Sequence, residues 1–250
     1  MTDSPFVLAI TPTFGRHYYL ERSVGMFLQQ DYANKHMLIY QNCTDKHQTL
    51  SNDIPANVTL VNETIKRFNC LGELYTHIFD LICNQCVLPK CPDLIIFWDD
   101  DDIFFPEHIS THVRGILKHG KKSYKIEKSY LLAGTKALTT TNVIEPSWII
   151  DANVIYETGF NINADARHHY SWIDYLYKHN EVYFDKETPP TFCYTWNNAE
   201  RPIFKHSGNA GNPENMRNYK AASKDHGDGV ITPMDKGLLM VLFDRIRSEA

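Results

Sequence analysis

The sequence lacks any apolar run near the ~18 residues that cross a bilayer, so no membrane span is expected. Its hydrophobic residues, 43% of 250, are dispersed among 22% charged ones. It also lacks an excess of positive charge. Lys and Arg total 25 against 30 Asp and Glu, a formal net charge of −5, unlike the basic proteins that coat nucleic acid. There is no internal repeat and no low-complexity tract, and the twelve prolines and twelve glycines are scattered. A chain of this size buries enough surface to hold a core without metal or disulfide, so one folded unit over residues 1–250 is expected. The amino-terminal Met-Thr-Asp-Ser-Pro has neither the basic nor the apolar region of a secretory signal. A cytoplasmic chain follows as the expectation (host cytoplasm if viral). The sequons at Asn42, Asn57 and Asn62 would then go unused, and the six cysteines stay mostly reduced.

Two further absences matter. No glycine-rich phosphate loop follows the first apolar run, which argues against a nucleotidyltransferase or phosphohydrolase. Cys83, Cys86 and Cys91 supply three zinc-type ligands, but the second half of a zinc ribbon is missing. Buried or idle thiols are the simpler expectation.

What is present alternates strand with helix. Phe6–Ile10 reads as a buried strand ended by Thr11-Pro12-Thr13. Leu20, Val24, Phe27 and Leu28 then recur at helical spacing. Met37–Tyr40 and Val58–Val61 are strands, Leu71–Cys83 is a helix, and Asp93–Trp98 is the most hydrophobic strand. A helix follows Pro106 to about His119, then a basic stretch, Arg114 to Lys128, read as a solvated loop. Strands near 130–132 and 147–150, a helix over 169–179 and a strand at 181–184 complete the pattern, before a polar stretch from Asn197 to Asp228. Thr232-Pro233-Met234-Asp235 has the form of a capped helix start. Leu238, Leu239, Leu242, Phe243 and Ile246 would give that helix an apolar stripe for the main domain or for a homodimer contact. The alternation predicts an α/β fold with a mostly parallel, Rossmann-like central sheet flanked by helices.

The sharpest feature is Asp99-Asp100-Asp101-Asp102 at the end of the hydrophobic strand. Adjacent carboxylates repel unless a cation sits among them. On extended backbone Asp99 and Asp101 share a face, and carboxylate oxygens suit Mg²⁺ or Mn²⁺.

Two blocks carry a family resemblance. Thr11-Pro12-Thr13-Phe14-Gly15-Arg16, with Leu20, Ser23-Val24 and Gln29-Gln30-Asp31-Tyr32, resembles the opening of family-two GT-A glycosyltransferases. Phe97–Ile109, with its four aspartates and Pro106, resembles their acidic metal motif and the helix after it. The resemblance covers roughly residues 5–115. It implies the GT-A fold, a nucleotide-binding half over 1–105, an acceptor-side half over 106–230 and a C-terminal helix over 231–250. It further implies that Thr11, Pro12, Thr13, Arg16, Asp99 and Asp100 lie beside the donor nucleotide. Asp99, Asp101 and a late His206 would hold Mn²⁺ or Mg²⁺. Where such enzymes place acids after the second strand, this chain has Gln41 and Asn42, whose amides can contact a base edge. The resemblance also implies a general base opening a later helix; Asp174 is the first choice, with Asp165 and His168 behind it. Trp172 and Trp196 read as buried aromatics or as walls of the acceptor site.

The implied activity is metal-dependent, inverting transfer of a hexose or pentose from a nucleotide diphosphate to a hydroxyl, on a glycan or polysaccharide. A hydroxylated base in phage DNA is the alternative acceptor, kept open by the basic stretch. A non-catalytic nucleotide-sugar-binding module is the rival of another class.

Overall fold

The computed structural model describes residues 4–43, 47–85, 87–133, 136–141, 144–164, 168–196 and 231–233. The first half runs β1 (Val7–Thr13), α1 (His17–Leu28), β2 (Lys35–Gln41), β3 (Val58–Asn62), α2 (Leu71–Asn84), β4 (Leu94–Phe97) and β5 (Ile103–Phe104). The second continues with α3 (His108–His119), β6 (Ser123–Ile126), β7 (Ser129–Ala133), β8 (Lys136–Thr140) and a 3-10 turn at Glu145–Ser147. After the turn come β9 (Trp148–Asp151), α4 (Ala152–Thr158), α5 (Tyr170–Lys178), β10 (Val182–Asp185), β11 (Phe192–Trp196) and β12 (Ile231–Pro233).

Seven strands form the main sheet in the order β10-β6-β9-β4-β1-β2-β3. All its pairs are parallel except those of β9, which runs antiparallel to both β4 and β6. The central strands are apolar almost throughout because both faces are covered. In β1, Val7 and Ala9 join the core formed with α1 and α3, whereas Leu8 and Ile10 join the core formed with α2, α4 and α5. A smaller sheet, β12-β8-β7-β11-β5, lies beyond the acid run.

Three local expectations change. β1 does not stop before its proline but continues through Thr13, paired with β2. Thr13 accepts from Asn42 on the β2 side, and Ile10 accepts from Trp98 on the β4 side. Alternation therefore turns Pro12 toward β4, where pairing ends at Ile10, so its missing N–H breaks no ladder bond. The basic stretch is not one loop: Ser123–Ile126 is a fully buried strand. Lys125 is inside, its ammonium donating to the carbonyls of Ile126 and Glu127, and burial pushes it down to about 7 despite the pull of Glu127. Finally, Ile231–Pro233 pairs antiparallel with β8, so Thr232 and Pro233 belong to a strand and not to a helix start. Residues 234–250 lie outside the described residues.

Candidate donor and metal site

The acid run hangs from the carboxyl end of β4, next to the carboxyl ends of β1 and β2, where open α/β sheets bind ligands. The run is not extended as expected: β4 ends at Phe97 and Asp100–Asp102 form a turn and bend, so burial rather than strand alternation splits it in two. Asp100 and Asp102 are wholly buried, while Asp99 and Asp101 are only partly covered.

The buried pair is locked from two directions. The Thr13 hydroxyl donates to Asp100 at 2.6 Å and Arg16 Nε donates to the same oxygen at 3.1 Å. Arg16 Nη2 contacts the other Asp100 oxygen, and Nη1 donates to Asp101 at 2.7 Å. Arg16 itself is 7% exposed. Burial alone would lower its pKa, but the carboxylates around it raise it above its ordinary value. On the other side the Thr195 N–H of β11 donates to Asp102 at 2.7 Å, the Thr195 hydroxyl contacts the Asp101 carbonyl, and Arg22 donates to that same carbonyl at 2.7 Å. The smaller sheet thus closes over the back of the run.

Charge in the site is unbalanced. Burial, then Asp101, Glu145 and Asp100, push the Asp99 carboxyl well above the carboxylate range, with Arg16 opposing. Burial takes Asp100 to about 6 even with Arg16 against it, and Asp102 is raised well above its ordinary value by burial, Asp101 and Asp99. A cluster of hard oxygens with surplus negative charge and two partly exposed members fits a divalent cation. Asp99 and Asp101 would hold it.

The remaining implied donor contacts are placed as follows. Thr11 and Pro12 are buried within β1. Gly15, at φ +66°, makes the turn into α1, a conformation open to glycine, and its N–H donates to the Gln41 side-chain carbonyl at 3.1 Å. Asn42 donates its amide to the Lys66 carbonyl at 2.8 Å. Gln41 and Asn42 are therefore buried braces between β1, β2 and the loop after β3, whose Lys66 and Arg67 are exposed cations.

On the acceptor side, Asp174 projects from the exposed face of α5, while Trp172, Ile173 and Leu176 face the sheet. Trp172 is completely buried, stacked on Phe97 at 5.8 Å, and so is a core residue. Glu145, which composition and motif did not single out, lies close enough to act on Asp99. Behind it sit His168 and His169; His169 Nδ1 contacts the Glu145 carboxylate and His168 Nε2 is 3.8 Å from it. The adjacent histidines just before α5 were the available signal. Burial would raise the Glu145 carboxyl, but His169 and His168 hold it at about 2. Asp165, His206 and Cys86 lie outside the described residues, as does the Trp196 side chain; Cys83 and Cys91 are exposed free thiols.

Comparison with solved structures places the fold. S. aureus TarS 1–349 in complex with UDP-GlcNAc superposes with a TM-score of 0.56 at 12% identity, over 78% of this chain and 60% of that one. The mannosyltransferase PcManGT from Pyrobaculum calidifontis, in complex with GDP-Man and Mn²⁺, gives 0.53 at 13% identity, over 82% and 60%. The chain has the GT-A fold. By sequence, the GT-A chain is 24% identical over 126 residues to an Escherichia coli (strain K12) protein, WcaA, named for glycosyl transfer in colanic acid biosynthesis. That match spans 48% of this chain and 42% of the relative. No protein-family profile matches the GT-A chain, and among its described residues no helix is long and apolar enough to cross a membrane.

Proposed function

We propose that the chain is a nucleotide-sugar-dependent glycosyltransferase that inverts the anomeric centre and passes a hexose or pentose to a glycan hydroxyl. The observation carrying this reading is the split acid run: Asp99 and Asp101 are partly exposed, while Asp100 and Asp102 are buried and fixed by Thr13, Arg16 and Thr195. Relatives of the same fold, solved with UDP-GlcNAc or with GDP-Man and Mn²⁺, support a nucleotide-sugar donor and a divalent cation.

In this mechanism residues 1–105 supply the donor side and 106–230 the acceptor side. Asp99 and Asp101 would hold Mn²⁺ or Mg²⁺, which would supply Lewis-acid stabilisation of a departing diphosphate. His206 would join them if the stretch that carries it reaches the metal. Thr13 and Arg16 keep the carboxylates oriented so that they need not reorganise during transfer. Gln41 and Asn42 shape the base pocket by bracing its walls. Asp174 serves as base only for an acceptor lying along the solvent face of α5. The basic stretch gives little support to a DNA acceptor, because Lys125 is interior and Lys121 is bound to the Asn180 carbonyl.

The test is thermal stability with a panel of nucleotide diphosphates and nucleotide sugars, in Mn²⁺, Mg²⁺ or EDTA. A ligand at about 100 times its Kd stabilises the native state by about 2.7 kcal/mol. One nucleotide should stabilise only with metal, and Asp101→Ala should abolish the effect. No shift for any nucleotide under either metal would sink the proposal.

A further inference from the structure

The acceptor side carries a second group of metal-type ligands, distinct from the acid run. One ligand atom each from Glu145, His168 and His169 all lie within 4.8 Å of one another. Glu145 sits on the turn leading into β9, the strand beside β4, so it overlooks the same edge as Asp99. The two histidines close the segment before α5 and are 4% and 2% exposed, while the Glu145 side chain is 22% exposed. The cluster is thus walled behind and open in front.

Its surroundings are those of a rigid ligand set. His168 stacks on Tyr75 at 5.1 Å with the rings only 6° apart, and Phe160 lies on the same ring system. His169 packs against Trp172 at 5.8 Å. Apolar walls of this kind fix imidazole orientation and limit solvent access around metals. Buried charges are kept where they pair or coordinate a metal.

We propose that Glu145, His168 and His169 bind Zn²⁺ at a site separate from the acid run, with an open coordination position facing the cleft. Two imidazole nitrogens and one carboxylate oxygen are a Zn²⁺ ligand set of the type that keeps a fourth position for water or substrate. The all-oxygen acid run selects the harder Mg²⁺ or Mn²⁺ instead. A hydroxyl entering the open position would be acidified, as metal-bound water is. This site does not depend on the transfer reaction proposed above, and its test needs no sugar donor.

The experiment is calorimetric titration of the chelator-stripped full chain with Zn²⁺, paired with the absorption spectrum of its Co²⁺ form. Wild type and Asp101→Asn should each bind one equivalent of Zn²⁺. His169→Gln and Glu145→Gln should bind it at least tenfold more weakly with an unchanged far-ultraviolet circular dichroism spectrum. The Co²⁺ form should show d–d bands of nitrogen and oxygen ligation with no sulfur charge-transfer band. If a variant misfolds, the wild-type Co²⁺ spectrum still decides. No saturable Zn²⁺ binding by wild type overturns the proposal. So does binding lost in Asp101→Asn but kept in His169→Gln, or a sulfur charge-transfer band, which would move the metal to Cys83 and Cys91.

Discussion

Single side chains at the acid run divide between those that can meet a ligand and those that hold the others still. Arg16 belongs to the second kind, since its guanidinium is spent on Asp100 and Asp101. Replacing it with methionine keeps much of its volume but strands a buried carboxylate. Arg16→Met should therefore cost about 3–5 kcal/mol of unfolding free energy, measured by urea denaturation. Thr13→Val removes one hydrogen bond to the same carboxylate and should cost less, about 1–3 kcal/mol. The four aspartates were legible in the sequence because like charges in a row demand an explanation. The partner of Asp100 was not, because nothing local links Arg16 to a residue 84 positions away. The motif suggested a contact with nucleotide; the structure shows that Arg16 is tied to the run. Glu145 was invisible for the same reason, its meaning coming entirely from His168, His169 and Asp99.

At the scale of elements, two glycines set how closely helices approach their neighbours. A methyl group on Gly115 of α3 would lie 2.3 Å from the Tyr124 ring of β6. One on Gly72, at the start of α2, would lie 1.8 Å from the Asn161 carbonyl oxygen. Gly115→Ala and Gly72→Ala should each destabilise the fold by about 1–3 kcal/mol, read as a lowered denaturation midpoint. Gly72→Ala should have the further effect of disturbing the 161–164 loop, since the Gly72 N–H also bonds Ala164. The α1, α2, α3 and α5 helices and the strands of the main sheet other than β6 were readable from periodicity; β6 was hidden in a basic stretch whose Lys125 turns out to be interior. β8, β11 and α4 were not: the strands are short and borrow their stability from the second sheet, and α4 is a seven-residue helix. Thr232-Pro233 misled because a threonine-proline pair starts helices and also suits a terminal edge strand, and tertiary pairing with β8 decides between them.

At the scale of the whole molecule, two buried histidines give stability an acid-sensitive part. His108 and His112 lie in α3 with ring centroids 4.4 Å apart, both buried. Burial, then the charge of His112, lowers His108 well below its ordinary value; burial takes His112 to about 4. The unfolded chain therefore binds more protons than the folded one as pH falls below the ordinary histidine value. Their contribution is fully present above it and should fall by about 1.4 kcal/mol per pH unit for each group through that window, against the opposite contribution of the raised Asp99, Asp100 and Asp102 carboxyls. Urea midpoints between pH ~7 and pH ~4.5 check this, and the slope should lessen in His112→Gln.

One consequence follows from Pro12. Ladders between parallel strands lengthen wherever a donor meets an acceptor, and the next donor β1 would offer β4 falls at a residue without one. Pro12 acts as a zipper stop, so that the chain can leave the sheet after Trp98 and turn through the aspartates. The mouth of the cleft thus begins at a place set by covalent structure rather than by the balance of weak contacts around it. A chain with valine there could close that seam by one more rung and draw the aspartates back toward the sheet.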